Sequence, residues 1–320
     1  MKLEGIHHVT AITADAQANI DFYAGVLGLR LVKKTVNQDD PTVYHLFYAD
    51  EEGSAGADIT FFEFPGAPLG RAGDGMVHTT AFRVASPQAL DFWAERLGSR
   101  GTVTERDGDV LRFADPEGLG LELRVSAVAD AALVARHPEI PAGHALRGFD
   151  GVRAYAARPE TSAGLLRELG FEPAQVAEGA NGGGGDVREG EVIWEARGAW
   201  RGGLIAYEPP PETRGLQGAG TVHHVAWGST IEEHEAWRER ITAGGGHPTP
   251  VIDRFYFRSI YFREPSGVLF EIATLGPGFA VDEPQDSLGE RLSLPPDFEH
   301  LRSQVESNLK PVYSPRQVPA

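Results

Sequence analysis

The chain repeats one short phrase near its two ends, GIHHVT at residues 5–10 and TVHHVA at residues 221–226. Each phrase is typical of a short β-strand and carries a pair of histidines. A carboxylate follows at Glu271, in the strand-like stretch GVLFEI of residues 267–272. Because similar segments recur far apart in the chain, we expect a fold built from duplicated modules.

A regular period supports this duplication. Four helix-like stretches are each followed by a glycine, and the glycines Gly28, Gly98, Gly170 and Gly244 recur every 70 to 74 residues. A strand candidate precedes each helix, at Ile6–Ile12, Val77–Val84, Gly151–Ala156 and Val222–Trp227. About fifty residues of alternating, turn-broken β pattern follow each helix. The sequence therefore predicts an α+β fold in which a βαβββ module occurs four times.

The ends of the helices carry recognisable signals. Asp15, Ser86 and Thr230 can cap the first free N–H groups, and Pro87 suits a first helical position. Thr230 and Glu233 have the spacing of a capping box. The glycine after each helix is predicted to adopt the left-handed conformation that ends it.

Composition and charge exclude several classes of function. The chain has 320 residues, a formal net charge of −17 and no cysteine. So acidic a balance argues against nucleic acid or an anionic membrane as a partner, because both require basic patches. The absence of cysteine excludes disulfides and thiolate chemistry and fits a reducing compartment. No apolar run approaches the length of a membrane span, so a cytoplasmic protein is expected.

The histidine pairs and the acid suit a divalent metal ion. Two imidazoles and one carboxylate on one face leave three coordination positions open, as in non-heme Fe(II) oxygenases. Adjacent side chains of a regular strand point to opposite faces. Hence only one histidine of each pair, His7 or His8 and His223 or His224, is expected to be a ligand together with Glu271.

The chain resembles the vicinal oxygen chelate superfamily, which includes glyoxalase I, fosfomycin-resistance proteins and type I extradiol dioxygenases. Within it, the chain is most similar to the ring-cleaving dioxygenases that open hydroquinones. The phrases that carry the resemblance are GIHHVT (5–10), YHLFYAD (44–50), VHHVA (222–226) and YFREPSGVLFE (261–271), with DSLG (286–289) and LSLP (292–295) in the tail.

The resemblance implies a fold and a ligand set. Modules of this superfamily pair into cupped half-barrels, and the metal lies in the cup. The family places the ligand at the second histidine of each pair, which implies His8, His224 and Glu271 as the metal ligands. The first and fourth modules would then face each other across one cup. The implied cofactor is Fe(II), with Mn(II) as an alternative, and the implied partners are a small aromatic substrate and dioxygen.

The modules suggest three regions. Residues 1–140 are expected to hold two modules, residues 141–280 the other two, and residues 281–320 a polar tail with one helix near 298–309. The tail is expected to pack on the cup or on a second subunit, which leaves a homo-oligomer open. The glycine-rich run at 181–185 lacks the Lys-Ser/Thr of a phosphate loop and is interpreted as a hairpin tip.

Six further residues are candidates for catalysis. The histidines beside the ligands have ordinary pKa values near neutrality, which suits proton transfer. By the resemblance, the other four line the substrate pocket. The six candidates are His7, His223, Thr10, Tyr261, Tyr256 and Arg254.

Three alternatives remain open from the sequence. A second metal site between modules two and three would use His78 and Glu122, which we interpret instead as relics of duplication or polar cup residues. If Glu63 also bound the metal, four protein ligands would favour a glyoxalase-type lyase or isomerase. A metal-independent protein that binds small aromatics is a third alternative, in which His8, His224 and Glu271 would have no role as ligands.

Overall fold

A computed structural model describes residues 1–174 and 191–315, and the glycine-rich run at 181–185 lies outside them. The predicted α+β class and the fourfold βαβββ repeat are confirmed. The first module comprises β1 (Ile6–Thr13), α1 (Ala16–Ile20) continued by a π-helical segment (Asp21–Val26), β2 (Arg30–Asn37), β3 (Asp40–Ala49) and β4 (Asp58–Glu63). The second comprises β5 (Val77–Val84), α2 (Pro87–Ser99), β6 (Glu105–Asp107), β7 (Val110–Ala114) and β8 (Gly120–Val125).

The other two modules repeat this order. The third comprises β9 (Phe149–Tyr155), a 3-10 turn (Pro159–Ser162), α3 (Ala163–Glu168), β10 (Glu172–Pro173), β11 (Val192–Arg197) and β12 (Gly202–Glu208). The fourth comprises β13 (Val222–Ser229), α4 (His234–Ala243), β14 (Ile252–Asp253), β15 (Arg258–Arg263) and β16 (Leu269–Thr274). The tail adds 3-10 segments at Phe279–Val281, Gln285–Ser287 and Pro296–Leu301, and α5 (Arg302–Asn308).

The modules pair into two eight-stranded sheets. One sheet has the order β14-β15-β16-β13-β1-β4-β3-β2 and joins the fourth module to the first. The other has the order β10-β11-β12-β9-β5-β8-β7-β6 and joins the third module to the second. Each sheet therefore takes one module from each half of the chain, as the shared cup requires. The boundary at residue 140 divides the sequence, not the sheets, and as a domain boundary it stays a prediction.

A β-bulge recurs at the same place in all four first strands. Along the antiparallel seam of β1 and β13, His7 and His223 are each skipped in the register. Along the seam of β5 and β9, His78 and Asp150 are skipped in the same way. A bulged residue turns out of the regular alternation of the strand, so neighbouring side chains need not point to opposite faces.

The helix ends agree with only part of the sequence prediction. Asp15 and Ser86 do accept from backbone N–H groups three residues on, at 3.0 Å and 3.3 Å. The predicted capping box at Thr230 was wrong, because α4 begins at His234 with no side-chain cap. The glycines Gly28 and Gly170 have positive φ, as predicted.

In two helices the glycine with positive φ lies beyond the predicted one. Gly98 lies inside α2 and Gly244 has a negative φ. The residues with positive φ are Gly101 and Gly245. There the N–H of the next residue donates to a carbonyl five residues back, which is the hydrogen bond of a Schellman motif. The closing mechanism was predicted correctly, but these two positions were wrong.

The tail packs on the first module. Lys33 on β2 is completely buried and donates to Asp282 at 2.7 Å and to Glu283. Val305 on α5 is buried against the main apolar core, and Tyr44 on β3 donates its hydroxyl proton to the Lys310 carbonyl at 2.9 Å. Within the described residues, no helix is both long enough and apolar enough to cross a membrane.

Candidate metal centre

His8, His224 and Glu271 meet at one buried point of the first sheet. The Glu271 Oε2 atom lies 3.2 Å from His8 Nε2 and 2.9 Å from His224 Nε2. The two imidazole nitrogens are 3.2 Å apart. Among the residues that the structure describes, these three form the one cluster of potential metal-ligating side chains.

The bulge at His7 brings its ring behind His8. His7 Nε2 donates to the carbonyl of Thr274 at 3.1 Å, and His7 Nδ1 is 2.9 Å from His8 Nδ1. Burial lowers the pKa of His7 to about 3, with His8 adding to the effect, so the ring is neutral. A neutral ring that donates from Nε2 can only accept at Nδ1, so His8 donates from Nδ1. The Nε2 atom of His8 therefore faces Glu271 and His224.

The second pair repeats the arrangement. His223 Nδ1 lies 2.8 Å from His224 Nδ1, behind the ring that points to the centre. On the acid, Ser259 donates its hydroxyl proton to Glu271 Oε1 at 2.6 Å, which leaves Oε2 directed at the two imidazoles. Burial alone would raise the pKa of Glu271, but His8 and His224 outweigh it and hold that pKa well below its usual value. The acid is therefore a carboxylate.

A cavity opens onto the cluster from one side. It comprises about 420 Å³ of space not occupied by protein atoms, part of which is open to solvent, and the first and fourth modules both contribute to its wall. Its lining residues are His8, Thr10, Thr35, Asn37, Gln38, Asp39, His45, Phe47, Phe62, His224, Arg254, Tyr256, Phe257 and Tyr261. Five phenylalanine and tyrosine rings and several polar groups suit a small aromatic molecule that carries hydroxyl groups.

Four of the six catalytic candidates line this cavity. Thr10 and Tyr261 lie beside the ligands, since the Tyr261 ring centroid is 5.6 Å from that of His224. Arg254 stands over the Tyr261 ring at 5.6 Å and forms two hydrogen bonds with Asp39, at 3.0 Å and 2.9 Å. Tyr256 is also in the wall, and its hydroxyl donates to Asp282 at 3.0 Å.

The other two candidates, His7 and His223, are not in the cavity wall. His7 is buried behind His8, and His223 lines a neighbouring cavity with Arg263 and Gln217. Both contact the Nδ1 side of a proposed ligand, so they orient an imidazole and do not face the space where a substrate would lie. Their part in proton transfer stays a prediction.

Glu63 lies apart from the cluster. Its carboxylate accepts from the backbone N–H of Ala16 at 3.0 Å, at the start of α1. Ala226 and Thr10 have equivalent positions, because each stands two residues after a proposed histidine ligand. In the strand register, Ala226 pairs with Glu271, whereas Thr10 pairs with Thr60. Thr60 therefore occupies the position that a fourth ligand would need, and it hydrogen bonds to Thr10 at 2.9 Å.

The second sheet holds a different set at the equivalent positions. Glu122 pairs with Ala81 as Glu271 pairs with Ala226, so it corresponds to the metal-site acid. Thr79 stands two residues before Ala81, as His224 stands two residues before Ala226. It therefore has the position of a histidine ligand, and it pairs with Arg153. His78 is the bulged residue, so the match of His78 to His8 was wrong, and its counterparts are His7 and His223.

Arginines surround the acid of the second sheet. Glu122 lies 3.0 Å from Arg112 Nε, 3.8 Å from Arg153 Nη1 and 3.9 Å from Arg124 Nε. The ring of His78 stacks on Tyr155 with centroids 4.0 Å apart. Guanidinium groups thus supply the positive charge that a metal would supply in the first sheet.

His45 and Phe257 were missed as site residues. His45 Nε2 lies 2.9 Å from the Thr60 hydroxyl. Burial is the main reason why the pKa of His45 lies well below its usual value. The Phe257 ring lies 5.1 Å from His8 and 5.3 Å from His7. His45 stands in the phrase YHLFYAD that carried the family resemblance, so the signal was present in the sequence. Phe257 has no comparable signal.

Comparisons with known proteins agree on one family. The model of the Glyoxalase/Bleomycin resistance protein/Dioxygenase superfamily matches residues 5–123 and 148–272. MhqO of Bacillus subtilis, named as a ring-cleaving dioxygenase, is 42% identical over 97% of both chains. The chlorohydroquinone/hydroquinone 1,2-dioxygenase of Sphingobium indicum is 32% identical over 95% of both. A crystal structure from Bacillus subtilis, titled as a dioxygenase, covers 98% of both chains at 41% identity, with a TM-score of 0.87.

Proposed function

The chain belongs to the glyoxalase/bleomycin resistance protein/dioxygenase superfamily, and we propose that it is a metal-dependent ring-cleaving dioxygenase. Its substrates would be hydroquinone- or catechol-type aromatics, which it would open with dioxygen. The observation that carries the proposal is the convergence of His8, His224 and Glu271 at the floor of an aromatic cavity. We propose Fe(II) as the ion, with Mn(II) as the alternative, and the cytoplasm as the location.

The three side chains fit a divalent ion. Ligand atoms about 2.1 Å from one ion and at right angles to each other would be about 3 Å apart. The three separations here are 2.9 Å, 3.2 Å and 3.2 Å. Both imidazoles are contacted at Nδ1, and the carboxylate is held at Oε1 by Ser259. His8 Nε2, His224 Nε2 and Glu271 Oε2 are thus directed at one point. In metal sites, hydrogen bonds to the far side of each ligand orient it in this way.

The position of Thr60 favours the dioxygenase over the lyase. When bound, a redox-active divalent ion supplies a centre at which a phenolic oxygen and dioxygen can meet. Three protein ligands leave room for both reactants, whereas a fourth would occupy one of those positions. Thr60 stands where that fourth ligand would be, and Glu63 is engaged at the start of α1.

The cavity residues would bind and orient the ring. Burial raises the pKa of Tyr261, so its hydroxyl keeps its proton and can donate to a phenolic oxygen beside His224. Arg254 supplies a fixed positive charge, because Asp39 holds its guanidinium group in place. Phe47, Phe62 and Phe257 would keep water away from the ring.

The experiment is metal loading followed by an oxygen-electrode assay. We expect one Fe(II) per chain by elemental analysis, and dioxygen uptake when hydroquinones or catechols are added. His8→Ala and Glu271→Gln should each lower metal affinity by more than about 100-fold. Loss of a residue that only hydrogen bonds to a ligand costs up to about 100-fold, and loss of the ligand itself should cost more. Uptake of dioxygen should fall in proportion to bound metal.

Glu122→Gln is the matched control, since Glu122 has the position of Glu271 in the other sheet. Folded Glu122→Gln protein should keep its full metal content. Full activity in a metal-stripped sample would refute the metal-dependent mechanism. Fe(II)-loaded protein that consumes no dioxygen with any compound of the panel would refute the dioxygenase.

A further inference from the structure

One residue between the lining residues Arg254 and Tyr256 has an unusual backbone. Phe255 has a φ of +68°, and it is the one non-glycine residue with positive φ in the described chain. The N–H of Tyr256 donates across it to the carbonyl of Arg254 at 2.8 Å, so the three residues form a γ-turn of the positive-φ form. This conformation is unfavourable for residues other than glycine, and it persists only where the surroundings impose it.

The surroundings of the turn impose it by hydrogen bonding. The side chain of Asp253 accepts from the Phe255 N–H at 2.8 Å. The Arg254 N–H donates to the carbonyl of Phe257 at 2.9 Å. Gln38, on the hairpin of the first module, donates to the Arg254 carbonyl at 2.8 Å. Both modules of the first sheet therefore hold the strained residue in place.

The turn changes which side chains face the cavity. In a regular strand, neighbours such as Tyr256 and Phe257 would point to opposite faces. Here Arg254, Tyr256 and Phe257 all line the cavity. Phe257 packs on the imidazole of His8, and Arg254 stands over Tyr261. The partly buried Phe255 ring packs instead on the apolar cluster around Phe279.

We infer that Phe255 is a positioning residue, whose strained γ-turn holds Arg254, Tyr256 and Phe257 in the places that an aromatic substrate requires. The inference rests on the proposed function, because it assigns the turn to the same cavity. It concerns the backbone and not the phenyl ring of Phe255. Strain of this kind at a binding site is the cost of presenting side chains that a relaxed strand would separate.

The test compares Phe255→Ala with Phe255→Gly. Both lose the ring, but only glycine adopts positive φ without strain, so the γ-turn should persist in Phe255→Gly and relax in Phe255→Ala. We expect Phe255→Gly to have a Tm higher than Phe255→Ala by roughly 2–4 °C. Because the strain that remains in Phe255→Ala is released when the turn opens, the amides of Tyr256 and Gly278 should exchange faster in Phe255→Ala than in Phe255→Gly, and the KM for hydroquinone should be about tenfold higher in Phe255→Ala. The metal content of the two variants should be equal.

The pair Phe92→Ala and Phe92→Gly is the control, because Phe92 is a half-buried aromatic residue within α2. There glycine should be the less stable variant, since it weakens a helix. Equal amide exchange in the two Phe255 variants would overturn the inference, whether or not the protein consumes dioxygen. Faster exchange in Phe255→Ala with the same KM in both Phe255 variants would also overturn it. Absence of dioxygen uptake by the wild-type protein would count against the proposed function, and the Kd for hydroquinone would then replace KM in the comparison.

Discussion

At the scale of single residues, neutral and charged groups are sorted by their contacts. The Thr274 carbonyl determines which nitrogen of His7 carries its proton, and that in turn makes His8 donate from Nδ1 and directs its Nε2 atom to the centre. Glu271 is held ionised by two imidazoles although burial opposes it. One other buried acid has no such compensation. Asp58, which pairs with His8 in the strand register, has no hydrogen-bond partner within the described residues, and burial raises its pKa well above its usual value.

Asp115 allows a pH prediction away from the metal centre. It accepts from the N–H groups of Glu117 and Leu119 and from the hydroxyl of Tyr23, yet burial raises its pKa from 3.8 to about 6. Between these values the folded state keeps a proton that the unfolded state releases, so stability falls as the pH rises. We expect a loss of up to roughly 3 kcal/mol over this window. Urea titrations at several pH values measure it.

Asp115→Asn is the matched variant for this prediction. The amide keeps an oxygen for the two backbone N–H groups and a polar atom for Tyr23, but it does not titrate. The difference in unfolding free energy between wild type and Asp115→Asn should therefore change between pH 4 and pH 6 and be constant above it. A difference that is independent of pH would contradict the assigned pKa.

At the scale of elements, the first strands and the helix ends depend on more than their own residues. The bulges at His7 and His223 place two adjacent histidines against each other, although the strand period predicts opposite faces. A bulge depends on the register between two strands from distant parts of the chain, so no local pattern reveals it. The ends of the helices also depend on tertiary structure. More than one glycine lies near the end of α2 and of α4, and packing selects which one closes the helix.

Two of the three predicted caps, Ser86 and Thr230, should differ in their effect on stability. Ser86 accepts from the Ala89 N–H, so Ser86→Ala should lower the unfolding free energy by about 1 kcal/mol. Thr230 precedes the actual start of α4 by four residues, so Thr230→Ala should change stability by less than about 0.5 kcal/mol. Urea denaturation of both variants makes the comparison. An equal loss in the two would mean that α4 begins at the capping box after all.

At the scale of the whole molecule, the two sheets tie the ends of the chain together. His8 comes from the first module, and His224 and Glu271 come from the fourth, so the metal centre cannot form within either half. The first and fourth modules are joined by the antiparallel pairing of β1 with β13. The same logic pairs β5 with β9 in the other sheet.

Cutting the chain at residue 140 tests this arrangement. Residues 1–140 alone should bind no metal at stoichiometric level, and neither should residues 141–320, because each fragment lacks part of the triad and exposes the edges of β1 and β5 or of β9 and β13. Co-expressed fragments should assemble and recover one metal per pair. Elemental analysis of the purified fragments and of the complex measures this. Stoichiometric metal in a single fragment would contradict the shared centre.

The sequence by itself determined the repeat and the class of fold, because these depend on residue type and on a period of about 70 residues. Through the family resemblance it also predicted His8, His224 and Glu271 as metal ligands, and the structure brings these three side chains together. It also placed Thr10, Tyr261, Tyr256 and Arg254 among the candidates for the cavity, through the family resemblance. Tertiary structure alone decided that His7 and His223 lie behind the ligands, that Thr60 replaces a fourth ligand, and that Phe255 is strained. Each of those facts depends on register and contact between strands that are distant in sequence, and local patterns carry no information about such contacts.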